Sequence, residues 1–372
     1  MKVLILSCHT GEGHNSAARA LADALEERGI EYEIVDPVSF GGKKTSRNVS
    51  AAYNNIIKFV PVLFGLIYGI GAAYEASRLP SPIYWANSLY ADKLNDYVKE
   101  NGFDCVVCTH LYGMEAMTYL KRKAKTNVPV YGILTDYTAI PFMRDTDLDG
   151  YFVGTEDVKE EMKRKKFDVE KIFVTGIPVR AKFCESTEKS EARRLLSLPE
   201  EKKIVLVMSG GVGCGNLHSL CKEIEKRTDE TYLFLVMTGN NEKLKERIDR
   251  DFADGGKIRT LSFTKDVPLY MNAADVVVSK SGGLTTTEAA VANVPLVHLK
   301  AIPGCETKNA AIFEKYGMSR PTRNKKQAVY FAKSLAEDND AAEKMRQAQR
   351  EYVPRFAART IVEKITEVGN NE

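Results

Sequence analysis

The feature that most constrains the fold of this sequence is an alternation of short apolar runs with helical patterns, which begins twice along the chain. Six runs with the composition of buried strands occur in the first half, and five more follow in the second. They are KVLILSC, EYEIVD, DCVVCTH, VPVYGILTD, DGYFVGT and KIFVTGIPV, then KKIVLVMSGG, TYLFLVMTG, KIRTLSF, ADVVVSKSGG and VPLVHLKA. Strands that alternate with helices form parallel sheets covered by helices on both faces. We therefore predict an α/β protein with two doubly wound domains in tandem.

The length and composition agree with two domains. The chain has 372 residues, of which 44% are hydrophobic and 28% charged, enough to bury two cores. The polar segment CESTEKSEARR separates the two series of strands and predicts a linker. We expect an N-terminal domain at residues 1–183, a linker at 184–202, a second domain at 203–338 and a C-terminal helical segment at 339–372.

Charge and cysteine content exclude several classes of protein. The net charge of +3 is too small to indicate nucleic-acid binding, and short basic runs such as KRKAK at 121–125 are typical of solvated surfaces. The seven cysteines have no paired spacing, which predicts neither a metal site nor a disulfide framework. The opening MKVLILSC has one basic residue and leads into a loop, so we interpret it as a strand rather than a signal peptide and expect a cytoplasmic location.

The loop after the first apolar run has the glycine spacing of a dinucleotide-binding site. Gly11, Gly13 and Ser16 follow a strand and precede a helix. Asp36 lies about twenty residues further on, where a ribose-binding acid would be. Taken alone, this pattern makes an NAD-dependent oxidoreductase plausible. His14 argues against it, because a pyrophosphate needs close backbone approach at that position.

The same histidine has a second interpretation. A histidine at the carboxyl end of a strand is well placed to take a proton from an acceptor hydroxyl, so His14 is the candidate catalytic base. Either Asn15 or Ser16 is expected to cap the first helix. The candidate acceptor or phosphate loop consists of Gly11, Glu12 and Gly13.

A glycine-rich loop also opens the second half of the chain. The stretch SGGVGCGN at 209–216 joins an apolar strand to a helix and offers unhindered backbone N–H groups to a diphosphate. Its candidate contacts are Gly210, Gly211 and Gly213. Such loops are common in α/β proteins, so this signal alone is weak.

A longer motif, SKSGGLTTTEAAVANVPLVHLKAIPGCETKN at 279–309, is more specific. Gly282 and Gly283 open a helix, and the first turn of that helix presents Thr285 and Thr286 to a phosphate. Glu288 lies one turn further in and can accept both hydroxyls of a ribose. The motif therefore predicts a nucleotide diphosphate site.

Polar residues on either side of this helix predict contacts to a sugar. Glu306 and Asn309, in the loop that follows the next strand, can reach sugar hydroxyls. Lys280, at the end of the preceding strand, can add positive charge near the diphosphate, although a lysine at such a position is more often exposed and without a role.

Residues 48–90 break the alternation with an apolar and aromatic stretch. Its most apolar part, 59–73, is about fifteen residues long, whereas a membrane-spanning helix needs roughly 20. Two interpretations stay open at this point: a buried helical hairpin packed on the sheet, or an exposed face that rests on a membrane. The candidate membrane-facing residues are Phe59, Leu63, Phe64, Leu66, Ile67 and Tyr68.

Several of these motifs resemble a known family. The stretch GGLTTTEAAVANVPLV followed by PGCETKN resembles the donor-binding signature of glycosyltransferase family 28. The segments GEGHNSAARAL, LTDYTAIPF and VTGIPV are similar to the branch of monogalactosyldiacylglycerol synthases and processive diacylglycerol glucosyltransferases. The resemblance covers most of the chain, to about residue 330.

The resemblance implies a GT-B fold, in which two Rossmann-like domains face each other across a cleft and a C-terminal helix crosses back to the first. The first domain would bind the lipid acceptor and the second a UDP-sugar, and transfer would invert the anomeric carbon without a bound metal or other cofactor. UDP-glucose or UDP-galactose is the expected donor. Diacylglycerol or a glycosyl-diacylglycerol, at the inner face of the cell membrane, is the expected acceptor.

The same likeness suggests roles for individual residues. Glu288 would bind the ribose, Thr285 and the 210–216 loop the diphosphate, and backbone near Phe263 the uracil. Glu306 would bind the sugar hydroxyls, and His14 matches the family's GxGH histidine on the acceptor side. A lipid acceptor also favours the membrane-facing interpretation of residues 48–90.

The sequence departs from the family at four positions. Cys305 stands where relatives have glutamine and Ser281 where they commonly have proline, while Ile140 and Met143 replace a histidine and a tryptophan. The sugar identity therefore stays open, and a catalytically silent nucleotide- or lipid-binding protein is an alternative. A UDP-GlcNAc epimerase shares the two-domain layout but leaves residues 48–90 unexplained.

Overall fold

The computed structural model describes residues 1–8, 12–42, 80–208, 216–252 and 256–369. These residues divide into two units. The first unit consists of Met1–Ala181, Ile302–Cys305 and Phe356–Glu372, and the second of Lys182–Ala301 and Glu306–Arg355. The candidate membrane-facing residues and the glycines of the 209–215 loop lie outside the described ranges.

The first unit is built on a parallel sheet that contains, within the described ranges, the six strands predicted for the first half. They are β1 (Lys2–Leu6), β2 (Glu31–Val35), β3 (Cys105–Cys108), β4 (Val130–Ile133), β5 (Gly150–Val153) and β6 (Ile172–Val174). Their order across the sheet is β2-β1-β3-β4-β5-β6. Within the described ranges, the α-helices of this unit are α1 (Glu12–Glu26), α2 (Pro82–Glu100), α3 (Leu111–Arg122), α4 (Glu156–Arg164) and, late in the sequence, α13 (Ala357–Gly369).

The alternation of side chains along β1 sends neighbouring residues to opposite faces of this sheet. Val3 and Ile5 pack in one core with Leu21 of α1. Leu4 and Leu6 belong to the other core, which α2 and α3 cover. Because both faces are covered, the four residues of the strand after Lys2 are all apolar and buried, as expected for a buried parallel sheet.

The last helix, α13, packs against α1 and belongs to the first unit. Ile361 and Val362 are buried in the same core as Leu21. An ion pair joins Arg359 to Glu27 at 2.9 Å, although exposed pairs of this kind contribute little to stability. The burial of the apolar stripe therefore holds the helix, and the predicted return of the chain to the first domain is confirmed.

The second unit has the five strands predicted for it and, in the part of the chain that the structure describes, one further short strand. They are β7 (Lys203–Met208), β8 (Tyr232–Gly239), β9 (Ile258–Ser262), β10 (Val276–Ser279), β11 (Leu296–His298) and β12 (Arg320–Pro321). All pair in parallel, in the order β12-β11-β10-β7-β8-β9. The α-helices that the structure describes here are α5 (Lys189–Leu195), α6 (Leu217–Arg227), α7 (Glu242–Phe252), α8 (Val267–Ala273), α9 (Gly283–Val291), α10 (Cys305–Lys315), α11 (Lys325–Glu337) and α12 (Asn339–Tyr352).

Each sheet has one point at which the strand order reverses. In the first unit it lies between β1 and β3, and in the second between β7 and β10. Ligands of open parallel sheets bind beyond the carboxyl ends of the strands at such a point. The order of the strands therefore predicts ligand sites at the loops that follow β1 and β3, and at those that follow β7 and β10.

Three local features differ from the sequence predictions. The expected linker contains α5, whose Arg193 is buried and donates to the carbonyl of Ala273 and to Asp275, so this segment is an integral part of the second unit. The segment expected at 339–372 divides near Pro354, with α12 in the second unit. Helix α1 begins at Glu12, so Asn15 and Ser16 lie inside the helix instead of capping its start, and the Asn15 amide oxygen accepts a hydrogen bond from the Ser7 hydroxyl.

Among the helices of the described residues, none combines the length and the apolar character needed to cross a bilayer.

Candidate active site

His14 lies in the first turn of α1, at the strand-order reversal of the first sheet. Its Nδ1 is 2.8 Å from the carbonyl oxygen of Thr109, which follows β3. Because a carbonyl oxygen only accepts, Nδ1 must carry the proton. The hydroxyl of Thr135 lies 3.0 Å from the same nitrogen, after the neighbouring strand β4. The neutral imidazole is thus held with its lone pair on Nε2.

The surroundings of His14 set its protonation. Burial lowers the pKa of His14, and this effect outweighs the opposing influence of the Asp136 carboxylate and of the hydrogen bond to Thr109. The net pKa lies below the ordinary 6.5, so the imidazole is neutral at neutral pH. A neutral imidazole with a free lone pair on a known nitrogen is chemically equipped to act as a general base.

A second histidine, His110, lies against the first. Their ring centroids are 4.5 Å apart in an edge-to-face arrangement. The Nδ1 of His110 accepts a hydrogen bond from the backbone N–H of Tyr112 and thereby caps α3. Burial, followed by the proximity of His14, holds the pKa of His110 well below its usual range. His110 is therefore neutral, and its ring packs edge to face against the ring of His14.

The other residues of the opening motif have local roles. Glu12 is exposed and forms an ion pair with Arg19, and Gly13 lies within the first turn of α1. Asp36 accepts a hydrogen bond from Val38 and caps the short 3-10 helix Pro37–Gly41, which is a structural role rather than the ribose contact that an oxidoreductase needs. Gly11 lies outside the described residues.

In the second unit, α9 begins immediately after β10, at the strand-order reversal of that sheet. Gly282 is its N-cap residue and has no side chain to accept a bond from the first N–H groups of the helix. These groups and the helix dipole favour an anion at this end. Thr285 lies within the first turn of this helix and is partly exposed.

Thr286 differs from the sequence prediction. It is completely buried, and its hydroxyl lies 3.2 Å from Nε2 of His298 instead of facing a phosphate. Consecutive helical residues point about 100° apart, so Thr285 and Thr286 cannot both face the same ligand.

The residues assigned to ribose and uracil are Glu288, which lies in α9, and Phe263, which follows β9. Glu288 is one turn into the helix and 9% exposed. Phe263 directly follows β9, with a side chain that is 62% exposed. Both residues come after the carboxyl end of a parallel strand, which is the side on which open parallel sheets generally bind ligands.

The residues predicted to contact the sugar form a network with the loop after β10. Lys280 Nζ is 2.9 Å from a carboxylate oxygen of Glu306, so the charges of these two side chains offset each other. The Ser281 hydroxyl donates to the carbonyl of Glu306 at 2.8 Å. Asn309 is completely buried and donates to the carbonyl of Ser281 at 2.9 Å, so its amide supports the loop instead of reaching outward. Serine in place of proline at position 281 thus provides a hydrogen bond to the start of α10.

The two substituted positions in LTDYTAIPFM have a packing role. Met143 is 1% exposed and belongs to the core beneath α2 and α3, and Ile140 packs against the same core. Cys305 is the first residue of α10 and is partly exposed.

Comparison with known proteins decides the family. A family model described as monogalactosyldiacylglycerol (MGDG) synthase matches residues 14–179, and one described as the glycosyltransferase family 28 C-terminal domain matches residues 204–360. The processive diacylglycerol beta-glucosyltransferase of Bacillus cytotoxicus is 30% identical over 367 residues, which cover 97% of this chain and 92% of that protein. The chain belongs to glycosyltransferase family 28. Within the family it falls in the branch that the resemblance predicted, and it is an enzyme of the glycosyltransferase class.

Solved structures of low sequence identity share its fold. Acinetobacter baumannii MurG has a TM-score of 0.65 at 16% identity and covers 98% of this chain and 99% of its own. The UDP-GlcNAc 2-epimerase of Neisseria meningitidis, bound to UDP-GlcNAc, has a TM-score of 0.63 at 17% identity and covers 99% of this chain and 100% of its own. The predicted GT-B fold of two Rossmann-like domains is therefore confirmed.

Sequence reasoning missed several residues around His14 in this glycosyltransferase. Thr109, His110 and Thr135 come from the ends of β3 and β4, and they meet His14 only because β3 pairs with β1 and β4 with β3. The segments DCVVCTH and LTDYTAIPF contained the signal, since each places polar residues directly after a buried strand. The order of the strands was needed to bring them together.

Proposed function

We propose that the chain is an inverting glycosyltransferase that moves a hexose from a UDP-sugar to diacylglycerol or a glycosyl-diacylglycerol. The observation that carries the proposal is the fixed imidazole of His14, with its proton on Nδ1 and its lone pair on Nε2. The similarity to the processive diacylglycerol beta-glucosyltransferase of Bacillus cytotoxicus supports diacylglycerol as acceptor and glucose as the transferred sugar. UDP-GlcNAc bound to the structurally similar epimerase supports a UDP-sugar as donor.

In the proposed reaction, the first unit activates the acceptor. The acceptor hydroxyl transfers its proton to Nε2 of His14 while its oxygen attacks the anomeric carbon of the sugar. A carbon–oxygen bond forms on one face of that carbon, and the bond to the diphosphate breaks on the other, so the electron pair leaves with UDP. Thr109 stabilises the imidazolium that results, because its carbonyl continues to accept from Nδ1.

The second unit accommodates the leaving UDP in this proposal. Negative charge grows on the diphosphate as the bond breaks, and in this proposal the N–H groups at the start of α9, which have no side-chain cap, donate to it. Thr285 adds a hydroxyl, the 210–216 loop adds backbone N–H groups, and Glu288 accepts from the ribose hydroxyls. These groups supply the stabilisation, so the proposed transfer uses no metal bound by the protein. The pairing of Lys280 with Glu306 holds the Glu306 carboxylate for the sugar hydroxyls.

We also propose that the first unit works at a membrane surface. Trp85 and Leu89 are one turn apart on α2 and are 55% and 86% exposed. The guanidinium of Arg122, at the end of α3, lies 5.4 Å from the ring centre of Tyr84, which in turn packs against Trp85. An exposed apolar and aromatic patch with a basic side chain beside it suits the interface of an anionic membrane.

The transfer reaction itself tests the proposal. We expect the purified protein to form a labelled glycolipid when it is incubated with labelled UDP-glucose and diacylglycerol in anionic vesicles. Labelled UDP-galactose in a parallel reaction identifies the donor. If neither donor yields a lipid product while UDP still binds, the chain is the catalytically silent binding protein instead, and the proposal is wrong.

A matched variant separates catalysis from membrane binding in the same assay. Trp85→Ser combined with Leu89→Ser removes the exposed apolar groups of α2 without touching His14. We expect this variant to lose most of its transfer on vesicles and to retain it on detergent-dispersed diacylglycerol. Equal loss in both conditions would contradict a membrane-binding role for the patch.

A further inference from the structure

His298 is a buried polar residue that the proposed reaction does not use. It ends β11, follows the aliphatic residues Leu296 and Val297, and is completely inaccessible to solvent. Its Nε2 lies 3.2 Å from the Thr286 hydroxyl and its Nδ1 lies 3.0 Å from the Ser319 hydroxyl. Burying an imidazole costs free energy unless both nitrogens find partners, and here both do.

The two hydroxyl partners suit a neutral ring. Burial lowers the pKa of His298 to about 3, so at neutral pH one nitrogen donates and the other accepts. A hydroxyl group can do either, so Thr286 and Ser319 satisfy both tautomers. The two hydrogen bonds therefore connect β11 to α9 and to the segment just before β12. His298 stays neutral near neutral pH, so these bonds do not depend on a change of its charge.

The hydrogen bond between His298 and Thr286 reaches the first turn of α9. The N–H of Thr286 makes a bond of this first turn, to the carbonyl of Gly282 at 3.1 Å. The neighbouring Thr287 hydroxyl bonds back to Gly283 of its own helix at 2.6 Å, whereas the Thr286 hydroxyl reaches out of the helix to His298. The first turn of α9, which contains Thr285, is thus connected to β11 through the Thr286 side chain.

We propose that His298 is a positioning residue of the nucleotide site, which holds the first turn of α9 in place through its Nε2 contact to Thr286. This inference rests on the proposed function, because it takes the start of α9 as the diphosphate site. An N–H group stabilises a phosphate only over a narrow range of distance and angle, so a small displacement of this turn weakens nucleotide binding. The Nδ1 contact to Ser319 orients the ring and serves stability.

Two conservative variants distinguish positioning from packing. The amide of glutamine reaches about as far as Nε2 of histidine, and the amide of asparagine about as far as Nδ1. His298→Gln therefore keeps the contact to Thr286, and His298→Asn keeps the contact to Ser319. Thr286→Val and Ser319→Ala remove the partner hydroxyls one at a time with little change in shape.

The experiment measures the dissociation constant of UDP by calorimetry and the melting temperature for every variant. We expect His298→Asn and Thr286→Val to bind UDP about tenfold more weakly, and His298→Gln and Ser319→Ala to stay within about twofold of the unsubstituted protein. All four variants are expected to melt at a lower temperature, because each loses a buried hydrogen bond.

Equal UDP affinity of the asparagine and glutamine variants would overturn the inference, as would a loss of affinity that simply follows the melting temperature. If one variant of His298 does not fold, the comparison of Thr286→Val with Ser319→Ala decides the question. Absence of UDP binding by the unsubstituted protein would instead overturn the proposed function, so the two failures are distinguishable.

Discussion

Replacement of His14 by alanine is expected to lower the rate of glycolipid formation by about 10²- to 10⁴-fold, the usual contribution of a general base. The affinity for UDP should stay nearly unchanged, because His14 belongs to the first unit and the proposed UDP contacts to the second. Initial rates with saturating donor and calorimetric titration with UDP measure the two effects. Arg19→Gln, an exposed substitution on the same helix, is the matched control and should retain full activity.

The pH dependence of the unsubstituted enzyme provides a second readout for His14. The base must be neutral, and its pKa is lowered below 6.5, so the rate should be constant from neutral pH downward until the pH falls through that lowered pKa. The residual rate of His14→Ala should lack this acidic limb. Normal turnover of the variant, or an acidic limb that persists in it, would contradict the assignment of His14 as the base.

Replacement of Glu288 by alanine is expected to weaken UDP binding by about 10- to 100-fold, because hydrogen bonds to a carboxylate are stronger than neutral ones and two ribose hydroxyls are involved. The measurement is the dissociation constant of UDP at fixed ionic strength. Glu314→Gln, an exposed carboxylate on α10 of the same unit, controls for the change in net charge.

A modified nucleotide makes this second prediction specific to the ribose. With 2′-deoxy-UDP, the unsubstituted enzyme should already have lost one of the two contacts, so the further effect of Glu288→Ala should be much smaller. If the substitution weakens UDP and 2′-deoxy-UDP equally, Glu288 does not contact the 2′-hydroxyl and acts on binding in another way.

Much of the fold could be predicted because strands of a parallel sheet are apolar along their whole length. KVLILSC and TYLFLVMTG are such runs, and both form strands that are paired on both sides. The strand β12 could not be found, because a strand of only Arg320 and Pro321 has no pattern. Helix α5 was mistaken for a linker because the segment is charged, and only the structure shows that backbone carbonyls and Asp275 satisfy the buried Arg193.

The candidate site was predictable to a smaller extent. His14 could be found because its spacing from the strand places it at the strand's carboxyl end, but the tautomer depends on Thr109, which is distant in sequence and adjacent in space. Thr286 and Asn309 were assigned to a ligand because polar residues near glycine turns often bind one. Their actual partners, His298 and Ser281, come from the packing of a neighbouring strand and loop, which sequence spacing does not specify.

The central claim is a direct displacement at the anomeric carbon, with His14 as the base and UDP as the leaving group. The most direct test is the anomeric configuration of the glycolipid formed from UDP-glucose, measured by the proton coupling constant of the anomeric centre in an NMR spectrum. Because UDP-glucose carries its sugar in the α configuration, a single displacement yields a β-linked glucosyl lipid. An α-linked product would contradict the account. It would show that the configuration of the anomeric carbon is retained, which a single displacement by an acceptor that His14 deprotonates does not produce.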